Sequence, residues 1–359
     1  MKKILFILVI LFVVNLQSNA QGCVALKSTG AVCTKSDAVH QPAGKSWQLN
    51  LNYRYFKSFR HFREKEEEKE RVENGTDVRN FSNALDITVT HSLNSRWSLS
   101  MNLPLLATRR SSLYEHDGKT RHSTFSSGIG DIRVAAYRWL WDPVKMPKGN
   151  ILVGLGVKLP TGDYKYQDFF YKNDSTNVLG PVDQSIQLGD GGTGFTAEVS
   201  AFYNFSGKVG VYGSFYYLLN PREQNGVSTA RGGTPSAANI ANTSYVMSVP
   251  DQYMARVGGN FTFDKFTASA GFRYECLPSS DLVGGDKGFR RPGYIVSAEP
   301  GLTYSFKKMA AYAYVPVALV RNRTQSYPDK LRSETTGAHV VGDAAFADYA
   351  INVGLAFKL

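Results

Sequence analysis

The stretch Tyr349-Ala350-Ile351-Asn352-Val353-Gly354-Leu355-Ala356-Phe357-Lys358-Leu359 sets a large apolar or aromatic residue at every odd position and a small or polar one between. Side chains along a β-strand point alternately to opposite faces, so the segment has one face for an apolar medium and one for a polar interior. With no further residue after it, it reads as the closing strand of a transmembrane β-barrel.

The other end of the chain agrees with that address. Residues 1–20 carry Lys2 and Lys3, an apolar run over residues 4–14, and Ser18-Asn19-Ala20, the small-x-small form of a signal-peptidase site. Secretion followed by membrane insertion places the product in the outer membrane of a Gram-negative bacterium. Beyond the signal, no stretch approaches the roughly 20 apolar residues of a membrane helix, so any span must be β.

Between these ends the alternation repeats. Trp47, Leu49, Leu51, Tyr53 and Tyr55 oppose Gln48, Asn50, Asn52 and Arg54. Phe81, Leu85, Ile87 and Val89 turn at Asn94-Ser95 into Trp97, Leu99, Met101, Leu103 and Leu105. Similar segments follow at residues 130–140, 151–159, 195–205, 209–217, 253–263, 266–274, 294–306, 309–320 and 347–359. The expected fold is all-β: an antiparallel up-and-down transmembrane barrel of about 12 strands, or 14 if residues 164–173 or 239–249 add to the count. An even count puts both ends and the short turns on the periplasmic side and the long segments outside. Trp47, Trp97, Trp139, Trp141, Phe205, Phe263, Phe306 and Phe357 fall beside the short turns, where an aromatic girdle belongs. A soluble β-sandwich leaves the terminal strand and these aromatic ends unexplained. The domain reading is a signal peptide over residues 1–20, a periplasmic tail or lumen plug over 21–45, and the barrel over 46–359.

The formal net charge of +11 does not indicate nucleic acid, because an exported chain meets none and its basic residues are interspersed with acidic ones. Outer-membrane lipid and lipopolysaccharide are the expected anionic partners, with the barrel-assembly machinery engaged during biogenesis. Cys23 and Cys33 lie close together in an oxidising compartment, which makes them a candidate disulfide. Cys276 is left as a small strand side chain, and no paired C-x-x-C spacing suggests a metal.

Residues at inward positions carry both signs of charge: Asp86, Asp131, Arg133, Lys158, Glu198, Arg256, Arg273, Glu275 and Glu299, with Tyr212 and Tyr216 among them. They are the candidate substrate-binding lining, and equally candidates for a salt-bridge ladder that supports the wall. Catalysis is not expected. There is no His-x-Ser pair, and His40, His61, His116, His122 and His339 fall outside the strand cores. The run from Arg63 to Arg71 mixes both charges, as a solvated loop does, with lipopolysaccharide phosphate contact as its functional alternative. Gly189-Asp190-Gly191-Gly192-Thr193-Gly194 lacks the Lys-Ser/Thr of a phosphate loop and reads as a flexible entry into a strand.

Three segments together carry a family resemblance: Gly128-Ile129-Gly130-Asp131, Gly154-Leu155-Gly156-Val157-Lys158-Leu159-Pro160-Thr161-Gly162 with the glycine-rich stretch ending at Gly194, and Val315-Pro316-Val317. With them the chain resembles the outer-membrane family named for the meta-pathway of phenol degradation, transport barrels related in general form to the long-chain fatty-acid channels. The resemblance implies passive passage of small hydrophobic or aromatic solutes with no cofactor and no energy source. The Asn-Pro-Ala hatch of the fatty-acid channels is missing near the mature N-terminus. The residues alone leave open a second reading, a structural or surface-interaction barrel with a closed lumen, and the width of the lumen distinguishes the two.

Overall fold

The computed structural model describes residues 45–173 and 175–359. The expected signal segment, Cys23 and Cys33, and all but Lys45 of the expected tail or plug over residues 21–45 lie outside the described residues. Twelve antiparallel strands form one closed barrel. In chain order they are β1 (Ser46–Arg63), β2 (Arg79–Ser92), β3 (Trp97–Ser112), β4 (His122–Ile129 continued by Arg133–Trp139), β5 (Gly149–Lys158), β6 (Gly194–Asn204), β7 (Val209–Leu219), β8 (Gln252–Phe263), β9 (Phe266–Leu277), β10 (Gly293–Ser305), β11 (Met309–Tyr314 continued by Val317–Arg323) and β12 (Ala344–Lys358). β12 closes the wall on β1, from Gln48 opposite Lys358 to Phe62 opposite Ala344.

The side-chain period sets which residues meet lipid. Odd residues of β12 from Tyr349 onward and of β1 up to Lys57 point outward, and apolar side chains such as Met101, Leu155, Phe215, Val257, Phe272 and Val353 remain exposed around the wall. A solvent-exposed apolar belt of this extent belongs to a membrane-spanning barrel. The short turns have local causes. Asn94 Oδ1 accepts the amides of Arg96 and Trp97, Ser206 Oγ those of Lys208 and Val209, and Asp264 takes a positive φ of 51° in the tight β8–β9 turn.

The count of 12 is as expected, because Gln167–Tyr171 pairs with Asn177–Pro181, and Val246–Ser248 with Gln224–Ser228, in hairpins separate from the barrel. Other expectations need correction. The strands outrun their apolar stretches: β1 continues to Arg63 and β3 to Ser112, and β4 begins at His122 rather than near Gly130. His61 and His122 are therefore strand residues. Above the membrane, polar side chains serve both faces of a strand and the hydrophobic alternation disappears while the ladder continues. Trp139 shares its parity with Arg133, so it is buried in the lumen against Phe202 instead of joining the girdle.

Candidate functional site

Two of the motif segments meet in a knot at the break in β4. Asp131 turns inward there, its Oδ1 accepting the Gly162 amide at 3.0 Å and its Oδ2 the Asp190 amide at 3.2 Å. Lys158 Nζ stands 3.3 Å from Asp131 and pairs with Asp190 as well. Thr161 Oγ1 accepts the Ile132 amide and donates to the Gly130 carbonyl, pinning the start of the long β5–β6 loop. Glycine is required at 162 and 189 because each packs against the backbone of the other. From this anchor residues 183–188 run inside the barrel. The Ile186 carbonyl accepts from Thr108 and Ser126, inward residues of β3 and β4, and Leu188 packs on Ala84 and Leu106.

Below the knot the lumen is crossed by a layer of buried charge: Arg54, Arg133, Arg256 and Arg273 against Asp86, Glu198, Glu275 and Glu299. Arg133 lies 3.2 Å from Glu198, which also accepts from Tyr137 Oη at 2.9 Å. Glu299 holds Arg256 and, at 3.3 Å, Arg273, and Arg273 reaches Glu275 at 2.7 Å. Arg54 on β1 is in electrostatic reach of Asp86 on β2 and of Arg273 and Glu275 on β9. The layer therefore spans the interior and sets four arginines against four acidic side chains, the pairing that buried charge requires. Rings fill the spaces: the Arg133 guanidinium lies 5.3 Å from the Tyr216 ring, and that of Arg256 lies 6.0 Å from Tyr212 and 5.4 Å from Tyr314. Along the small residues of β12, Tyr312 packs on Gly354 and donates to Asn50. Among the described residues a hollow of about 40 Å³ lies beside Asp131, Arg133, Lys158 and Tyr216.

Above the knot, at the long-loop end, a cavity of about 430 Å³ opens among Arg110, Glu115, Arg231, Arg291, Arg323 and Asp343. Asp183 bridges Arg110 and Arg291; burial would raise its carboxyl, but the two guanidiniums hold it well below the usual range. Burial likewise opposes ionisation of Asp343, and the hydrogen bond from His61 with the charge of Arg71 outweighs it, leaving the carboxyl depressed. The cavity is thus lined by groups that stay charged.

Beside this cavity the wall is not fully laddered. β11 pairs with β12 up to Val317 opposite Tyr349, and β11 next meets β1 at the top, where Glu64 and Arg323 exchange both backbone hydrogen bonds. Between these points β11 follows β10 while β12 follows β1. Side chains fill the seam: Phe62, Ile295, Ala344 and Phe346 cluster with Ala318, and Arg321 donates to the Ala347 carbonyl at 3.0 Å and pairs with Asp348 at 2.6 Å. Arg60 joins Asp348 to Glu67. The Val315-Pro316-Val317 segment is the bulge at which the ladder gives way.

All the lining residues expected from sequence line the interior, but in two groups: Asp131 and Lys158 in the knot, the others in or against the ion layer. Asp190, Tyr312, Tyr314 and the cavity residues escaped sequence reasoning. Arg110 continues the inward parity of Asn102, Pro104, Leu106 and Thr108 and was within reach of it. Asp183 and Arg291 sit in loops and carry no periodic signal. Among the described residues no group of three or more His, Cys, Asp or Glu side chains is placed to hold a metal ion.

No family model matches the sequence, and no curated protein matches it. Solved structures do resemble it. An outer-membrane channel from Pseudomonas putida F1 aligns over 90% of this chain and 98% of its own at 13% identity, with a TM-score of 0.60. The translocator domain of the autotransporter NalP from Neisseria meningitidis covers 90% of this chain and 92% of its own at 12% identity, with a TM-score of 0.46. The fold is that of outer-membrane β-barrels.

Proposed function

We propose that this outer-membrane barrel gives passive passage to small hydrophobic or aromatic compounds, which enter the loop-end cavity and leave sideways through the seam between β11 and β12. The supporting observation is the adjacency of the two features: Arg323, Ala344 and Ala345 line the cavity, and the apolar cluster of Phe62, Ile295 and Phe346 fills the seam next to it. A cavity of about 430 Å³ accepts a single-ring compound. On this reading the ion layer bars the straight route, and an apolar solute is better served by a side exit at the outer rim of the bilayer than by a buried charged plane. The test is reconstitution in liposomes with a panel of aromatic and polar solutes. Aromatic entry above empty vesicles, raised severalfold by Arg321→Ala, supports the route. Flux of no solute above the control discards it.

The filled mid-lumen favours a second reading, a non-transporting structural or surface-interaction barrel. It expects no flux in either the parent or Arg321→Ala.

A further inference from the structure

The cross-strand register sets Lys57 opposite Phe81, Phe81 opposite Arg109, and Arg109 opposite Phe125, one outward row across β1 to β4. Lys57 Nζ lies 4.4 Å from the Phe59 ring centroid and 5.7 Å from that of Phe81, and the Arg109 guanidinium lies 4.2 Å from Phe81. Both cations are thus held against the outside of the wall, flanking one ring. Among the described residues neither makes an ion pair. The nearby acids are committed elsewhere: Asp77 to Arg79 and Arg121, and Asp168 to the amides of Phe125 and Phe169.

The height of this row identifies its surroundings. Trp47, His91 and Leu99 form the outward row at the short-turn end. Lys57 stands ten residues further along β1. At a rise of about 3.3 Å per residue and a strand tilt of about 40°, the two rows are roughly 25 Å apart along the membrane normal, the height of a barrel's apolar band. Leu49, Leu51 and Tyr53 on β1, Val89, Ile87 and Leu85 on β2, and Leu99, Met101, Leu103 and Leu105 on β3 fill that interval. The long-loop end faces outward in this class, so the cations meet the headgroups of the outer leaflet. Lys57 and Arg109 are two strand spacings apart, about 10 Å, within which two long side chains converge on one phosphate.

We propose that Lys57 and Arg109, with Phe81 between them, form a binding site for a phosphate of the lipid A portion of lipopolysaccharide. The phosphate accepts hydrogen bonds from both cations while the acyl chains lie along the apolar rows beneath. The detergent-purified full chain is titrated with lipid A, dephosphorylated lipid A and phosphatidylglycerol, and retained lipid is read by native mass spectrometry. Heat-dependent gel mobility confirms that each variant is folded. Lipid A is expected to bind at least about tenfold tighter than its dephosphorylated form, and Lys57→Gln/Arg109→Gln to lose that advantage. Arg138→Gln, which removes a cation beside Trp97 at the opposite interface, is expected to keep it. Equal binding of phosphorylated and dephosphorylated lipid A by the parent overturns the proposal without recourse to any variant. So does undiminished binding by the folded double variant, and phosphatidylglycerol binding as tightly as lipid A overturns the assignment to the glycolipid.

Discussion

Glu299→Gln removes one negative charge from the buried layer and leaves the shape nearly unchanged. The side chain is 1% exposed and neutralises both Arg256 and Arg273. At the 3.3 Å separation from Arg273, the attraction is ~5 kcal/mol at an effective dielectric of about 20. The amide retains part of the hydrogen bonding, but Arg256 and Arg273 lose the carboxylate that they share. Leaving a buried charge uncompensated costs about 3–5 kcal/mol, and a loss of that size is expected in the free energy of urea unfolding from lipid vesicles. The paired variant Arg256→Met/Glu299→Leu restores the balance and should recover at least half of the loss. A Glu299→Gln effect under about 1 kcal/mol would mean that water screens the layer, refuting the inference of a closed mid-lumen. If the balanced pair loses as much as the single variant, the cost is one of packing rather than charge.

His116 Nδ1 accepts the Tyr171 amide at 3.1 Å, and burial with the neighbouring His122 pushes its pKa down to about 4. The folded form therefore binds fewer protons than the unfolded one, and docking of the 167–181 hairpin should be complete above the ordinary histidine pKa near 6.5 and weaken as pH falls towards 4. Hydrogen exchange at the Tyr171 amide checks this, and His116→Gln should flatten the dependence. Asp131→Asn weakens the ion pair with Lys158 and loosens residues 183–190 from the inner wall; single-channel conductance in planar bilayers should rise, and an unchanged conductance would deny this loop a part in closing the lumen. Gly354→Val should impair barrel assembly, read as loss of the heat-shifted gel form, because its side chain collides with Tyr312 and with the Leu51 carbonyl, and Tyr312→Ala in the same chain should rescue it only in part.

The wall was legible wherever lipid demanded it. Trp47 to Tyr55 and Tyr349 to Leu359 alternate because one face must be apolar, so their parity followed directly. The same parity placed Arg273 and Glu275 beside Glu299, where the ion pairs form. It would also have turned Trp139 inward, had it been followed from Arg133 rather than set aside for an aromatic girdle. Where the strands run on above the membrane, as far as Arg63, Ser112 and His122, no solvent difference separates their faces and their extent was invisible.

The sequence by itself determined a membrane-spanning barrel, its strand parity and the charged character of its interior, since these follow from a local two-residue period read against lipid and water. The tertiary structure decided how that interior is filled: Arg54 comes within electrostatic reach of Glu275 across the barrel, residues 183–190 turn inward at the Asp131 knot, and Arg321 fills the gap between β11 and β12. Each joins positions far apart in the chain, and such contacts are set by strand tilt, stagger and loop path, which no local periodicity encodes.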